Sequence, residues 1–267
     1  MKLREKKKSC RIEKSLYPST IFHFTKEIGS LKSILNSGYF RASYAKESII
    51  GPDSKREFGI PMVSFCDIRL SHLYEHIIKY GRFGIGLKKE WAINNGLNPV
   101  SYLNKNCSMF TAFNERLREM NRELRSLKEN DEVYSLEKAK YRDIINILRY
   151  MKNYEGPLVR KGELINENYR FANENEWRYV PDIQADIVPI KIARDSDPEW
   201  KTKANQRMWK SDSSRLKFNI RDIKYILVPN ENYASQLIEY FGDVASGDDY
   251  THLISKLFIS RQIFNDL

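Results

Sequence analysis

Apolar and polar positions along this chain follow two rhythms, one of period two and one of three to four residues. Three short stretches, IFHFT at 21–25, PMVSFCD at 61–67 and NENEWRYV at 173–180, read as buried strands. Each carries a polar or ionisable side chain among apolar neighbours: His23 between Phe22 and Phe24, Ser64 between Val63 and Phe65, and Glu174 with Glu176 around Asn175. Burying such groups is costly unless they are paired or used, so the three stretches together predict one shared site.

The pattern between them predicts the other elements. The first strand extends over 17–25. Ile28, Leu31, Ile34 and Leu35 give a helix over 27–37 that stops at Gly38. The span 39–60, punctuated by Gly51, Pro52 and Gly59, reads as a long loop. Asp67 is placed to cap a helix over about 68–80 that ends at Gly81. FGIGLKKEW at 83–91 is a strand whose alternating glycines leave one face bare, open to another backbone or a ligand. Leu117, Met120, Leu124 and Leu127, then a break near 130–132 and Leu136, Tyr141, Ile144, Ile145 and Leu148, predict a helical hairpin inserted at about 108–153. Its stripe packs most simply on the body of the protein. Strands return at 175–181, 186–192 and 220–229, Asn230 opens an amphipathic helix to about Gly242, and the apolar segment 253–264 reads as ordered. The mixture predicts an α+β fold: a basic tail at 1–16 and one domain over 17–267.

Composition narrows the classes. At 267 residues, 41% hydrophobic and 12% aromatic, the chain has the means to build a core. It holds no apolar run of membrane-spanning length and no secretory leader, and Cys10, Cys66 and Cys107 form no CxxC pair. These features predict a cytoplasmic protein with reduced thiols and no membrane contact. The net charge of +10 is concentrated in two places. Residues 1–14 hold seven Lys or Arg against two Glu, and residues 191–224 hold ten against five acidic residues. The second segment interleaves Trp200 and Trp209 with its cations, a mix suited to phosphate contact and base stacking; the alternative is a solvated lysine-rich loop.

Several chemistries find no support. GRFGIG has the wrong glycine spacing for a dinucleotide fingerprint, and no phosphate-binding GxxxxGK[ST] occurs. His72 and His76 stand four apart, but HLYEH lacks the glutamate placement of HExxH and no third ligand is apparent, so no metal is predicted. Cys66 has no paired histidine to activate it.

The three polar strands, in this order, resemble the ADP-ribosyltransferase fold. In one branch of that superfamily the first strand carries a His, here His23 with Thr25, and the second a Ser beside an aromatic, here Ser64 and Phe65. A tyrosine-bearing helix with Tyr74 and Tyr80 follows, then a glycine-containing strand, and a late strand presents Glu-x-Glu, here Glu174 and Glu176. The chain also resembles the AbiGi family of abortive phage-resistance proteins over most of residues 20–182. PMVSFCDIRLSHLYEHIIKYGRFGIGLKKEW is the longest block that carries this likeness.

The first resemblance implies NAD as substrate and a split β core. His23 would hold the ribose at the adenosine end, with Thr25 in support. Ser64 and Phe65 would line the nicotinamide side, and Tyr80, or else Tyr74, would stack on it. Glu176 would stabilise the oxocarbenium-like charge at the broken glycosidic bond, and Glu174, two residues along the strand, would orient the acceptor. Against these stand a core His23 bonded to a backbone carbonyl, a Ser64 bonded within the sheet, and a Glu paired with Arg178 or a lysine. The expected function is therefore an ADP-ribosyltransferase toxin of a toxin–antitoxin phage-defence system, modifying a nucleic acid held by 191–224. The family resemblance implies the alternative: a catalytically inactive antitoxin that neutralises a partner toxin, docking through the helical hairpin.

Overall fold

The computed structural model describes residues 18–160, 162–181, 188–189 and 197–262. The basic tail, most of the strand expected at 186–192 and the first residues of the 191–224 segment lie outside them.

Strand β1 (Thr20–Thr25) leads to α1 (Ile28–Ser37), which ends where Gly38 turns left-handed at φ 67°. Then come β2 (Tyr39–Arg41), β3 (Ser43–Ile50) and β4 (Lys55–Cys66), a 3-10 turn (Leu70–His72), and α2 (Leu73–Tyr80). After β5 (Phe83–Lys88) and α3 (Lys89–Asn94), the short strands β6 (Asn98–Pro99) and β7 (Ser101–Leu103) precede the helical hairpin of α4 (Met109–Ser126) and α5 (Glu132–Leu148). The chain continues through β8 (Met151–Asn153), β9 (Gly156–Arg160), β10 (Glu163–Tyr169), a 3-10 turn (Phe171–Glu174) and β11 (Glu176–Tyr179). The remainder comprises β12 (Val188–Pro189), α6 (Trp200–Met208), β13 (Arg215–Lys217), β14 (Ile223–Val228), α7 (Glu231–Val244), α8 (Gly247–Ile254) and β15 (Leu257–Ile259).

The main sheet runs β15–β14–β5–β1–β4–β11–β6, with β3 and β12 pairing the first part of β4. Only β14 and β15 are parallel within this order. With helices set against a mainly antiparallel sheet, the α+β expectation holds. β1 pairs with β5 along its whole length but meets β4 at one register position, Phe22 opposite Cys66, and then diverges. That divergence places the site.

The long loop expected at 39–60 is a hairpin. β3 and β4 pair from Ser43–Met62 to Ile50–Lys55, closed by a tight turn in which the Gly51 amide donates to the Ser54 carbonyl. Lys46, Glu47 and Ser48 interrupt the apolar alternation, so the strand pattern is hidden; Tyr44 and Ile49 are its buried positions. Asp67 does not cap α2. Its carboxylate pairs with Lys89 and its amide donates to the Asn175 carbonyl, tying the end of β4 to the start of β11. The strand at 83 ends at Lys88, because Trp91 and Ala92 are buried from a helix. Similarly, 220–222 is a 3-10 turn and β14 begins at Ile223.

The bare glycine face of β5 is covered by side chains rather than by backbone or ligand. A Cβ on Gly86 would lie 2.6 Å from the Phe22 ring, and one on Gly84 3.0 Å from Leu227. Asn230 caps α7 as expected, accepting from the Tyr233 amide at 3.2 Å. The helical hairpin also forms as expected and lays Phe110, Leu117, Ile145 and Leu148 on Ile49, Phe58, Ile60 and Met62 of β3 and β4. Each such side chain stabilises the packing by about 1.5–3 kcal/mol. Leu136 faces outward instead, as do Val133 and Ile147.

Candidate functional site

Where β1 and β4 diverge, the half-buried His23 ring fills the gap. Its Nδ1 lies 2.8 Å from the Ser64 carbonyl oxygen. A carbonyl only accepts, so Nδ1 carries the proton and Nε2 remains an acceptor. Burial, only partly offset by this bond, keeps His23 below its ordinary pKa and therefore neutral. The ring packs edge-on to Phe40 at 5.0 Å and tilted to Phe65 at 5.5 Å. A groove of about 600 Å³ opens beside it, lined by His23, Thr25, Phe40, Arg41, Val63 and Tyr80 among others.

Behind the groove lies a buried charge cluster. Glu176, at the start of β11, is 4% exposed. Its Oε1 accepts from Ser64 Oγ at 2.6 Å and Arg178 Nε at 2.8 Å. Its Oε2 accepts from Lys152 Nζ at 2.7 Å and Arg178 Nη2 at 3.1 Å. Arg178 is fully buried; it also pairs with Glu47 at 3.2 Å and donates to the Arg149 carbonyl at 2.9 Å. Lys152 bridges Glu176 to Glu174 Oε2, also at 2.7 Å, and the Tyr80 hydroxyl donates to Glu174 Oε1. Tyr102 accepts from the Glu176 amide at 2.9 Å.

Burial alone pushes the Glu176 carboxyl up, but Lys152 and Arg178 outweigh it and hold the group well below the usual carboxylate range. Lys152 mirrors this: burial works against its charge, and Glu176, Glu47 and Glu174 raise its pKa above the ordinary lysine value. Burial and the Glu174 charge push the Tyr80 phenol up, so it stays a donor. Burial likewise raises the Cys66 thiol, and no thiolate is available there.

The polar positions read from sequence are thus brought together. His23, Ser64, Tyr80, Glu174 and Glu176 form one connected chain of contacts. Glu174 and Glu176 do not share a strand face: Glu174 ends a 3-10 turn, and Asn175 turns left-handed at φ 43°. That single residue swings both carboxyls onto Lys152. Phe65 is fully buried against Phe40 and Trp91 and does not line this groove. Thr25 lines the groove, yet its hydroxyl donates to the Glu27 carbonyl at the entry to α1. Tyr74 faces outward and lines none of this.

Lys152, Glu47 and Tyr102 are the members that sequence reasoning missed. Lys152 sits in a three-residue strand with no pattern of its own, and Glu47 lies in the hairpin taken for a loop. Trp200 and Trp209 are both half-buried: Trp200 packs edge-on to Tyr44 at 6.1 Å, and Trp209 Nε1 donates to the Ala42 carbonyl at 2.8 Å. Among the described residues, no three His, Cys, Asp or Glu groups are gathered to hold a metal ion, and no helix is long and apolar enough to cross a membrane.

A family described as "Putative abortive phage resistance protein AbiGi, antitoxin" matches residues 39–229. The chain belongs to the AbiGi family. A relative described as an abortive phage resistance protein AbiGi, from Lactococcus lactis subsp. cremoris, is 31% identical over 234 residues, covering 79% of this chain and 90% of that protein. The family match spans every member of the charge cluster, from Glu47 to Arg178, but not His23. No solved structure matches the chain. Abortive phage resistance is therefore the function that family membership carries.

Proposed function

We propose that this chain is the antitoxin of a two-component abortive-infection system, acting by binding a partner toxin and not by consuming NAD. The reading rests on the engagement of Glu176: both oxygens are taken by Ser64, Lys152 and Arg178. A ribose hydroxyl would have to displace one of these donors, and displacing Lys152 or Arg178 would separate a buried ion pair at a cost of about 3–5 kcal/mol. The carboxylate is spent on holding the fold, which suits a binding scaffold. The family description as an antitoxin points the same way.

A second reading, an NAD-dependent ADP-ribosyltransferase, is favoured by one observation. The groove beside His23 ends on Tyr80 and lies at a split between two strands, with Ser64 behind it bonded to a glutamate. One comparison separates the two. Purified wild type and Glu176→Gln are incubated with NAD labelled in the adenylate, together with lysate, RNA or DNA, and both are expressed in cells with and without the partner toxin. The antitoxin reading expects no transferred label, no growth defect from the chain alone, and restored growth in cells carrying the toxin. Label transferred by wild type and lost in Glu176→Gln would overturn it in favour of the transferase.

A further inference from the structure

At the opposite end of β1 from His23 lies a second concavity, of about 650 Å³, walled by Ser19, Lys88, Arg221, Lys224, His252 and Lys256. Its cations arrive from separate elements. Lys88 ends β5, Lys224 lies in β14, and Lys256 lies between α8 and β15. A bulge supplies Lys224: Ile223 pairs with Leu87 and Tyr225 with Gly86, leaving Lys224 as the extra residue. Bulges of this kind re-aim a side chain, and the Lys224 amine donates to Ser19 Oγ at 2.7 Å.

Burial first, then the charges of Lys88 and Lys256, hold the Lys224 ammonium below its ordinary pKa. Among the described residues, Lys88, Lys224 and Lys256 have no carboxylate at ion-pair distance. Arg221 and Lys89 differ in this respect, pairing with Asp249 and Asp67. Glu90 is the acidic residue on the wall. Three cations gathered against one carboxylate repel one another, and a bound anion relieves that repulsion.

An adjoining cavity of about 330 Å³ shares Ser19 and is walled by Phe22, Arg69 and Tyr225. The half-buried Tyr225 ring lies along Phe22 at 6.0 Å and edge-on to Phe258 at 6.2 Å. Lys224 Nζ stands 6.0 Å from the Tyr225 centroid. A lysine cluster beside an aromatic wall matches a phosphate with its attached base.

We propose that Lys88, Lys224, Lys256 and Tyr225 form a binding site for a nucleotide unit, with the phosphate in the lysine pocket and the base against Tyr225. The proposal does not depend on the groove beside His23, which carries the antitoxin and transferase readings, although Lys224 belongs to the 191–224 segment expected from sequence to hold a nucleic acid.

The test is fluorescence anisotropy on the full chain with labelled single-stranded DNA and RNA of about 12 nucleotides, within the usual site size for such surfaces. Lys88→Glu and Lys256→Glu each weaken binding at least about tenfold and lower the salt slope by about one unit. Lys128→Glu, a reversal at an exposed position between α4 and α5 that lines neither cavity, leaves binding unchanged. Tyr225→Leu weakens the strand but not an abasic sugar-phosphate chain of equal length. Competition by AMP identifies the source: displacement at micromolar AMP assigns the site to a free nucleotide, and displacement by strands alone assigns it to a polynucleotide. Absence of binding by any probe, retention of wild-type affinity in both pocket reversals, or an equal loss in Lys128→Glu overturns the proposal.

Discussion

Removing the charge of Glu176 while keeping its shape strands two buried cations at once. Glu176→Gln leaves Arg178 with Glu47 and Lys152 with Glu174, yet Arg178 loses its closer carboxylate and Lys152 one of two at equal distance. The expected destabilisation is about 3–5 kcal/mol, read from urea unfolding. Glu174→Gln costs less, because Lys152 keeps Glu176. A Glu176→Gln variant within about 1 kcal/mol of wild type would show that the cluster contributes little. A pH dependence follows from the histidines. His23 and His76 are both held below their ordinary value of 6.5 by burial. The unfolded chain therefore binds more protons than the folded one just below that pH, and stability falls as pH drops through 6.5 toward the folded values. Glu176, held below its ordinary 4.5, contributes fully over that range and is lost only at more acid pH. The melting temperature of wild type should decline between about pH 6.5 and 5, and the decline should be shallower in His23→Gln. Equal slopes would remove His23 from the account. At this scale much of the site was legible, since a lone polar residue in an apolar strand is a local signal. Its partners were not, because nothing near Lys152 marks it as facing a carboxylate 24 residues away, and nothing near Glu47 marks it as facing the Arg178 guanidinium.

Among the elements, the joint between α2 and β5 is the least tolerant. Gly81 sits at φ 138°, and a Cβ there would lie 2.0 Å from the Thr25 carbonyl oxygen. The obstacle is backbone, so a side chain cannot step aside. Gly81→Ala should destabilise the fold by about 1–3 kcal/mol through strain at the end of β1, next to the groove. Gly96→Ala is a useful control, because φ is also positive there but nothing lies within 4 Å. Comparable melting temperatures for the two variants would mean that φ alone, and not the close approach, sets the cost. Elements with a strong single period were legible from sequence, as α1, α4, α5 and α7 show. The β3–β4 hairpin was not, because its solvent side is charged and Gly59 and Pro61 fall within a strand long enough to serve two partners. The glycines of β5 do mark a close approach, but by side chains and not by the backbone or ligand expected, because the identity of what approaches them is a tertiary fact.

For the molecule as a whole, the sheet is assembled from the middle outward. β1, β4 and β5 come from the first third of the chain, whereas β11 joins one side of this trio and β14 and β15 join the other from much later in the sequence. The α+β class followed from the mixture of periods, but this order did not, since strand pairing depends on side-chain fit between segments far apart. The order has a consequence for synthesis. While the chain is still emerging from the ribosome, the edge of β4 at Val63–Cys66 is bare and Ser64 faces a vacancy until residue 179 has been made. Glu47 and Lys152 wait on the same segment for their countercharges. A nascent chain stopped short of Arg178 therefore presents an unpaired strand edge and uncompensated charge. Such truncated products are open to proteases and to aggregation, and only the finished polypeptide escapes both.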